Sequence, residues 1–304
     1  MCTRKAVLDM DITIDKSCDK MSVKDYLYTR LCFSTAFIKR LKYLPDGILV
    51  NGAHVTVRHI LRQGDILSLS YDDLPDEISE NVVPCELGIS IVYEDEHMIA
   101  LDKPAGMPTH PSHNHHTDTL ANALAFYFSS MSRPFVFRAI NRLDADTSGI
   151  VLVAKSRHAA HLLTKTLCEG GFEKRYTALL HGAFEQDGCI NLPIMRCSDS
   201  TMLRCVDTEG TGRSKPALTQ YTIIKRLDDR TVVNAFPITG RTHQLRVHFS
   251  HIGHPIFGDG LYGVTTDGAD FPRLALHCTS LSFIHPFTEK KLELYAPVPD
   301  EMNL

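Results

Sequence analysis

No Cys-x-x-C pair occurs in the chain, although it carries nine cysteines. They stand far apart, at 2, 18, 32, 85, 168, 189, 197, 205 and 278. The even spacing of Cys189, Cys197 and Cys205 suits no zinc pattern. An odd number of scattered thiols argues for reduced cysteines and against a disulfide framework. No apolar run approaches the roughly 18 residues that a membrane helix needs. The first residues, Met-Cys-Thr-Arg-Lys-Ala-Val-Leu-Asp-Met, meet an acid before any long apolar core and do not read as a signal peptide. There is no Walker loop, and no Gly-x-Gly-x-x-Gly turn that follows a strand and opens a helix, so nothing signals a nucleotide cofactor. Repeats and low-complexity tracts are also missing. These absences leave a cytoplasmic globular protein as the expectation.

With 304 residues the chain is long enough for two domains, and a hydrophobic fraction of 43% permits a filled core. The formal net charge of −4 looks wrong for a nucleic-acid binder until it is read by segment. Residues 20–64 carry eight Lys or Arg against two Asp, whereas residues 65–99 carry ten acids and no Lys or Arg. A basic module therefore precedes an acidic connector.

In the basic module, residues 1–19 show no clear period and fit an edge strand or a loose arm. Ser22 is placed to cap a short helix, with Asp25 in the N3 position and Val23, Tyr26, Leu27 and Leu31 at helical spacing. Ser34 starts a second helix with Phe37, Ile38 and Leu41 on one face and Lys39, Arg40 and Lys42 on the other. A solvated basic face is the ordinary meaning of such lysines. Asn51-Gly52, between Ile48-Leu49-Val50 and Ala53-His54-Val55, is a hairpin turn that needs positive φ. Gly64-Asp65 opens a strand in which Leu67, Leu69 and Tyr71 alternate with serines. Two small helices, this hairpin and this strand resemble the S4-like RNA-binding module. The resemblance implies that Lys39, Arg40, Lys42 and Arg58 face RNA phosphates, adding salt-dependent affinity without sequence preference. The expected organisation is a small α+β S4-like domain over residues 1–71, an acidic linker over 72–86 with Pro75 and Pro84, and a larger domain over 87–304.

The larger domain opens with short strands at Ile89–Tyr93 and Met98–Leu101, then a Lys103-Pro104-Ala105-Gly106 loop. His110, His113, His115 and His116 follow within one Pro/Ser/Asn-rich loop. Four histidines in one such loop rarely converge on an ion, and no acid or cysteine has matching spacing, so a solvent-facing loop is preferred to a metal site. Helices are expected from Thr117 to Ser129, with Leu120, Leu124 and Phe128 inward, and from Ser156 to Gly170-Gly171, with Ala159, Leu162, Leu163, Thr166 and Leu167 on one face. Strands are expected at Ile150–Val153, Phe172–Leu180, Leu218–Arg226 and Thr231–Ile238, with late strands at 281–286 and near Leu294-Tyr295. Residues 186–215 read as a long hairpin excursion. A helix is expected to start at Gly240, burying Leu245, His248, Phe249 and Ile252. Strands dominate, so the class is α+β with a mixed, largely antiparallel sheet.

The most informative stretch is Asn141-Arg142-Leu143-Asp144-Ala145-Asp146-Thr147-Ser148-Gly149, a polar turn running into an apolar strand. By composition it is a tight turn. Three ordered motifs say more: Arg142-Leu143-Asp144 with Thr147-Ser148-Gly149; Lys174-Arg175-Tyr176-Thr177-Ala178-Leu179-Leu180-His181-Gly182; and Gly240-Arg241-Thr242-His243-Gln244-Leu245-Arg246-Val247-His248 followed by Gly253-His254-Pro255-Ile256-Phe257-Gly258-Asp259. Together they resemble the RluA-type pseudouridine synthases over roughly residues 85–300. Asn141 departs from the family, many members having His there, at a position not expected to do chemistry.

The resemblance implies a pseudouridine synthase fold and isomerisation of uridine in structured RNA, ribosomal or transfer, with the S4-like module favouring ribosomal RNA. It implies no cofactor, no small-molecule partner, no membrane and no metal, and the chain is expected to act as a monomer. Asp144 matches the catalytic aspartate. To act as base or nucleophile it must stay ionised in a cleft, and burial opposes that, so a nearby cation is required. Arg241 matches the arginine that pairs with it. Tyr176 matches the tyrosine against the uracil ring, Leu245 an apolar residue packing on the base (a plain core leucine would be spelled the same way), and Arg142 the arginine that fills the gap left by a flipped nucleotide. His243, His248 and His254 are expected to be structural or phosphate-facing, and Asp146 to serve the turn. Two other readings use the same residues: a non-catalytic RNA-binding or ribosome-assembly factor that keeps the fold, and a hydrolase built on Asp144 and a histidine.

Overall fold

A computed structural model describes residues 8–31, 33, 35–44, 46–71, 82–112, 114–133, 135–197, 200, 202–264 and 271–302; the side chains of 8–10, 36, 40, 70 and 71 are not part of that description. Ser34, His113 and most of the acidic connector therefore lie outside the described residues, as does the side chain of Arg40.

The basic segment folds around its own apolar core. Strands β1 (Leu8–Thr13), β2 (Ile48–Val50), β3 (Ala53–His54) and β4 (Ile66–Tyr71) form an antiparallel sheet in the order β1-β4-β2-β3. Helices α1 (Val23–Thr29) and α2 (Thr35–Leu41) complete the unit. The Ser22 hydroxyl accepts the Asp25 N–H at 3.1 Å, which satisfies one of the N–H groups a helix start leaves free. Asn51 and Gly52 take φ of 52° and 77°, the left-handed pair that a two-residue hairpin requires. Val23, Leu27, Leu41, Ile48, Leu61, Leu67 and Leu69 fill the interior. The described part of the segment before Ser22 thus takes the edge-strand alternative through β1.

A second, larger core surrounds a mixed sheet. Its strands are β5 (Ser90–Glu94), β6 (Met98–Lys103), β7 (Ser148–Ala154), β8 (Glu173–His181), β9 (Gly188–Asn191), β12 (Leu218–Arg226), β13 (Arg230–Pro237), β14 (Leu276–Ile284) and β15 (Lys291–Tyr295). The order is β5-β6-β7-β14-β8-β13-β12-β9, with β15 also on β14. Only the β7–β14 pairing is parallel among the described strands. Every residue of β7 is buried, as befits a near-continuous apolar strand between two neighbours. Gly149 lies where β7 meets β14. A Cβ there would stand 2.3 Å from the Cys278 carbonyl oxygen, and its φ of 111° is one that L side chains avoid. The Ser-Gly spelling of the central motif therefore has a packing cause. Helix α3 (Leu120–Ser130) buries Leu120, Leu124 and Phe128, and α4 (Arg157–Cys168) buries Ala159 and Leu163. Burying one such Leu or Phe contributes roughly 1.5–3 kcal/mol.

Three local expectations change. His161 of α4, which the helical period leaves off the apolar face, is buried with its ring 4.7 Å from that of Phe33 in the basic unit. Residues 186–215 are not one excursion: β9 extends the main sheet beside β12, while β10 (Ile194–Arg196) and β11 (Arg204–Val206) pair as a separate hairpin. The helix expected from Gly240 begins later, as α5 (Gln244–His251). His243 precedes it in the left-handed region at φ 57° and ψ 21°, so the chain turns sharply before the helix starts.

Candidate active site

The loop after Ile140 is pinned at both ends before it presents Asp144. Asn141 donates to the Ile150 carbonyl at 2.9 Å and accepts the Leu152 N–H at 2.8 Å, tying the loop to β7. The Thr147 N–H reaches the Asp144 carbonyl at 3.2 Å, closing the turn. Ser148 accepts from both terminal nitrogens of Arg273 at 3.0 Å and, with its hydroxyl proton, donates to Nδ1 of buried His277 at 2.8 Å. His277 in turn faces the Ala296 carbonyl through Nε2 at 3.3 Å, and burial lowers its pKa to about 4.

A second clamp comes from the Lys103-Pro104-Ala105-Gly106 loop. Lys103 is 0% exposed, and its Nζ donates to the carbonyls of Pro104, Met107 and Ala145 at 2.8, 2.7 and 2.9 Å. The Gly106 N–H reaches the same Ala145 carbonyl at 2.9 Å, and the Thr109 hydroxyl reaches the Leu143 carbonyl at 3.0 Å. Three acceptors require three donors, which only the ammonium form supplies. Burial works against that charge and pulls the pKa down to about 7, with Asp146 and Asp144 pulling the other way.

These clamps set Asp144 on the wall of a cleft of about 590 Å³. Its lining includes Arg142, Tyr176, Arg241 and Leu245, so the structure gathers every catalytic and substrate-binding residue expected from the motifs. The cleft lies among the 140–147 loop, β8, the end of α4 and the segment from Pro237 to Arg246.

The charge partner of Asp144 is not the expected one. Arg246 NH1 lies 3.8 Å from Asp144 Oδ2, whereas Arg241 Nε donates to the Pro216 carbonyl at 2.9 Å. The late start of α5 is the reason. Gln244 takes the Arg241 N–H on its Oε1 at 3.0 Å, which holds Arg241 in the turn outside the helix. Arg246, inside the first turn of the helix, is 2% exposed and aims inward. Asp259 grips it from behind with two bonds of 2.8 and 2.6 Å. Burial opposes the charge on Arg246, but the Asp259 pair and Asp144 outweigh it and raise its pKa, while the same pair holds Asp259 below its ordinary value against its own burial. Residues 258–263 do spell Gly-x-Gly-x-x-Gly, but they form turns, and Asp259 is spent on Arg246.

His243 Nε2 stands 3.9 Å from Asp144 Oδ2, and its Nδ1 bonds the Tyr262 hydroxyl at 2.8 Å. Burial lowers the imidazole's pKa, and the pull of Asp144 does not overcome it. His248 and His254 take structural parts: His248 bonds Thr219 and the Leu192 carbonyl, and His254 the His181 carbonyl. Tyr176 is 8% exposed, and burial, the Cys278 thiol against its phenol and the charge of Asp144 push its pKa well above the usual range. It offers a ring face and an O–H. Leu245, 5% exposed, is both a core and a lining residue. Arg142 and Asp146 are both exposed. In the histidine loop, His115 Nδ1 sits 2.6 Å from Asp118, and among the described residues no three His, Cys, Asp or Glu side chains gather to hold a metal ion.

Sequence reasoning gave no role to Arg246, Lys103 or Asp259, and it read His243 as structural or phosphate-facing without placing it beside Asp144. Arg246 carried a signal: it shares a helical face with Phe249 and stands upstream of an acid in a glycine turn.

A carboxylate beside a buried guanidinium, with a buried tyrosine in the same lining of a cleft open to solvent, is an arrangement suited to acid–base or nucleophilic chemistry. The family described as RNA pseudouridylate synthase matches residues 97–251. The uncharacterized RNA pseudouridine synthase YjbO of Bacillus subtilis is 36% identical over 284 residues, covering 93% of this chain and 97% of that protein. The ribosomal large subunit pseudouridine synthase D of Zymomonas mobilis is 32% identical over 281 residues, covering 88% of this chain and 87% of its own. A solved structure, human RNA pseudouridylate synthase domain containing 1, shares the fold with a TM-score of 0.58 at 31% identity, over 69% of this chain and 83% of that one. The chain belongs to the RNA pseudouridine synthase family, of the RluA type, and is an isomerase acting on RNA.

Proposed function

We propose that this enzyme isomerises uridines of large-subunit ribosomal RNA, with Asp144 as the catalytic carboxylate. The position of Asp144 carries the reading: it is a cleft carboxylate with a guanidinium 3.8 Å away and Tyr176 in the same lining. In the reaction the C1′–N1 bond breaks, the base turns, and a C1′–C5 bond forms. C5 gives up its proton and N1 gains one, so atoms and electrons balance without a redox partner or cofactor. Asp144 acts as the base or nucleophile, and Arg246 holds positive charge beside it throughout. Tyr176 and Leu245 sandwich the uracil, the phenol handling the late proton at C5. Arg142, exposed at the rim, fills the stack that the flipped nucleotide leaves. Arg241 serves the substrate from the turn.

Residues 1–71 act as the S4-like RNA-binding domain, joined through 72–86 to the catalytic domain over 87–304. Lys39, Lys42 and Arg58 are exposed, which supports a phosphate-facing role for them and for Arg40 beside them. No helix among the described residues is long and apolar enough to cross a membrane. The enzyme works in the cytoplasm as a monomer. The ribosomal assignment draws on relatives named for the large subunit. Mapping pseudouridines in ribosomal and transfer RNA from cells with and without the gene tests it. Loss of one or more large-subunit sites is expected; loss confined to transfer RNA would redirect the assignment.

A further inference from the structure

Lys174 belongs to the tyrosine motif, yet nothing in the mechanism above uses it. It stands two residues before Tyr176 on β8, hence on the same face of the strand. Both line the cleft. Its Nζ reaches across to the turn before α5, coming within 3.9 Å of where a Cβ on Gly240 would stand, and Gly240 leaves that space unfilled. No carboxylate among the described residues pairs with it, since Asp144 is engaged with Arg246 and Asp259 is buried under the same arginine. Burial lowers its pKa, and only the Cys278 thiol pulls the other way. Arg241 lines the same wall, with its Nε turned to Pro216.

An ammonium partly stripped of water with no anion beside it is costly, and its environment improves most when a full negative charge arrives. A uracil carbonyl is neutral and returns less. A flipped uridine brings a phosphodiester on either side of its ribose, and these are the anions that must pass the cleft mouth. We propose that Lys174 is the anion subsite for one of the two phosphodiesters flanking the target uridine, setting the depth at which the base enters opposite Asp144. This rests on the cleft being the uridine site.

The test uses full-length enzyme and a synthetic RNA stem-loop taken from large-subunit ribosomal RNA and containing one target uridine. Three RNAs are compared: unmodified, and with an uncharged methylphosphonate at the linkage 5′ or 3′ of that uridine. Wild type, Lys174→Gln and Lys174→Arg are assayed for affinity and single-turnover rate. Lys174→Gln is expected to weaken binding of the unmodified RNA about tenfold or more, the scale of a charge-assisted hydrogen bond. At one linkage, neutralisation should cost the wild type a similar factor and cost Lys174→Gln almost nothing, while Lys174→Arg keeps part of the sensitivity. A purely structural lysine would not produce that coupling. Losses that multiply independently at both linkages, or a wild type indifferent to both, would overturn the proposal. If Lys174→Gln does not fold, Lys174→Met keeps the stem and takes its place. A wild type that converts no uridine even in unmodified RNA would instead defeat the reading of the cleft, so the two failures are distinct.

Discussion

Arg246 serves two acids at once, Asp259 through two short bonds and Asp144 through a longer approach. Removing it leaves Asp259 buried and unpaired, which typically costs about 3–5 kcal/mol. Arg246→Gln should therefore lower both thermal stability and turnover, the latter by about a hundredfold or more. Arg241→Gln should leave the melting temperature nearly unchanged and act mainly on KM, because its side chain bonds a backbone carbonyl at the surface. Thermal melts and single-turnover rates of the two variants decide this; equal losses in both would reverse the assignment. Motif spelling named Arg241 as the partner of Asp144; the structure puts Arg246 there instead, because the choice depends on where α5 begins. The left-handed His243 and the Gln244 side chain that captures the Arg241 N–H set that start, and neither is visible as a helix signal. Tyr176 and Leu245 were legible because an apolar strand and a helical period put them inward whatever their role.

At the scale of elements, the loop that presents Asp144 is held by two devices that have no period in the sequence. One is Lys103, gathering three carbonyls from two loops; the other is the Ser148–His277 contact across the parallel β7–β14 pairing. Lys103→Met should keep the buried volume but leave the Pro104 and Met107 carbonyls without their donor, at about 1–3 kcal/mol for each that water cannot reach, while Ala145 keeps only the Gly106 N–H. Its activity should fall further than its stability does, since the Ala145 carbonyl sits next to Asp144. The buried imidazole gives a pH signature. Its native pKa is about 4, against roughly 6.5 in an unfolded chain. Between those values the unfolded state takes up a proton that the native state refuses, so stability falls as pH drops from about 6.5 to 4, by on the order of 3 kcal/mol. Urea unfolding of wild type and His277→Asn across that window should show a shallower pH slope in the variant, with His161, also lowered to about 4, keeping part of it. Identical slopes would mean that His277 is not the responsible group. Helices and strands themselves were largely foreseen, from the Ser22 cap and the Asn51-Gly52 turn to the apolar run of β7, because each rests on local chemistry. The split of residues 186–215 into β9 and the β10–β11 hairpin was not, because β9 exists only through its pairing with β12.

For the whole molecule, two cores divide the labour: a basic N-terminal unit and a larger sheet that carries the cleft. If the first grips RNA phosphates, neutralising Lys39, Arg40 and Lys42 together should weaken binding and reduce the slope of log K against log salt by about 2–3, roughly 0.7–0.9 for each phosphate no longer neutralised. Folding should be unaffected, since Lys39 and Lys42 are exposed. Binding titrations between low and moderate salt measure this, and an unchanged slope would remove these residues from the interface. The charge segregation that suggested the unit was legible because it is a property of composition; where the RNA lies between the two cores is not encoded in any single motif.

The central claim is that one side chain, Asp144, performs the isomerisation. Quantifying pseudouridine in RNA after single-turnover incubation with wild type and Asp144→Asn tests it directly. The substitution is nearly isosteric and leaves Arg246 its bonds to Asp259, so folding and RNA binding should persist while product falls by about a thousandfold or more. Pseudouridine formed by Asp144→Asn at the wild-type rate would contradict the account.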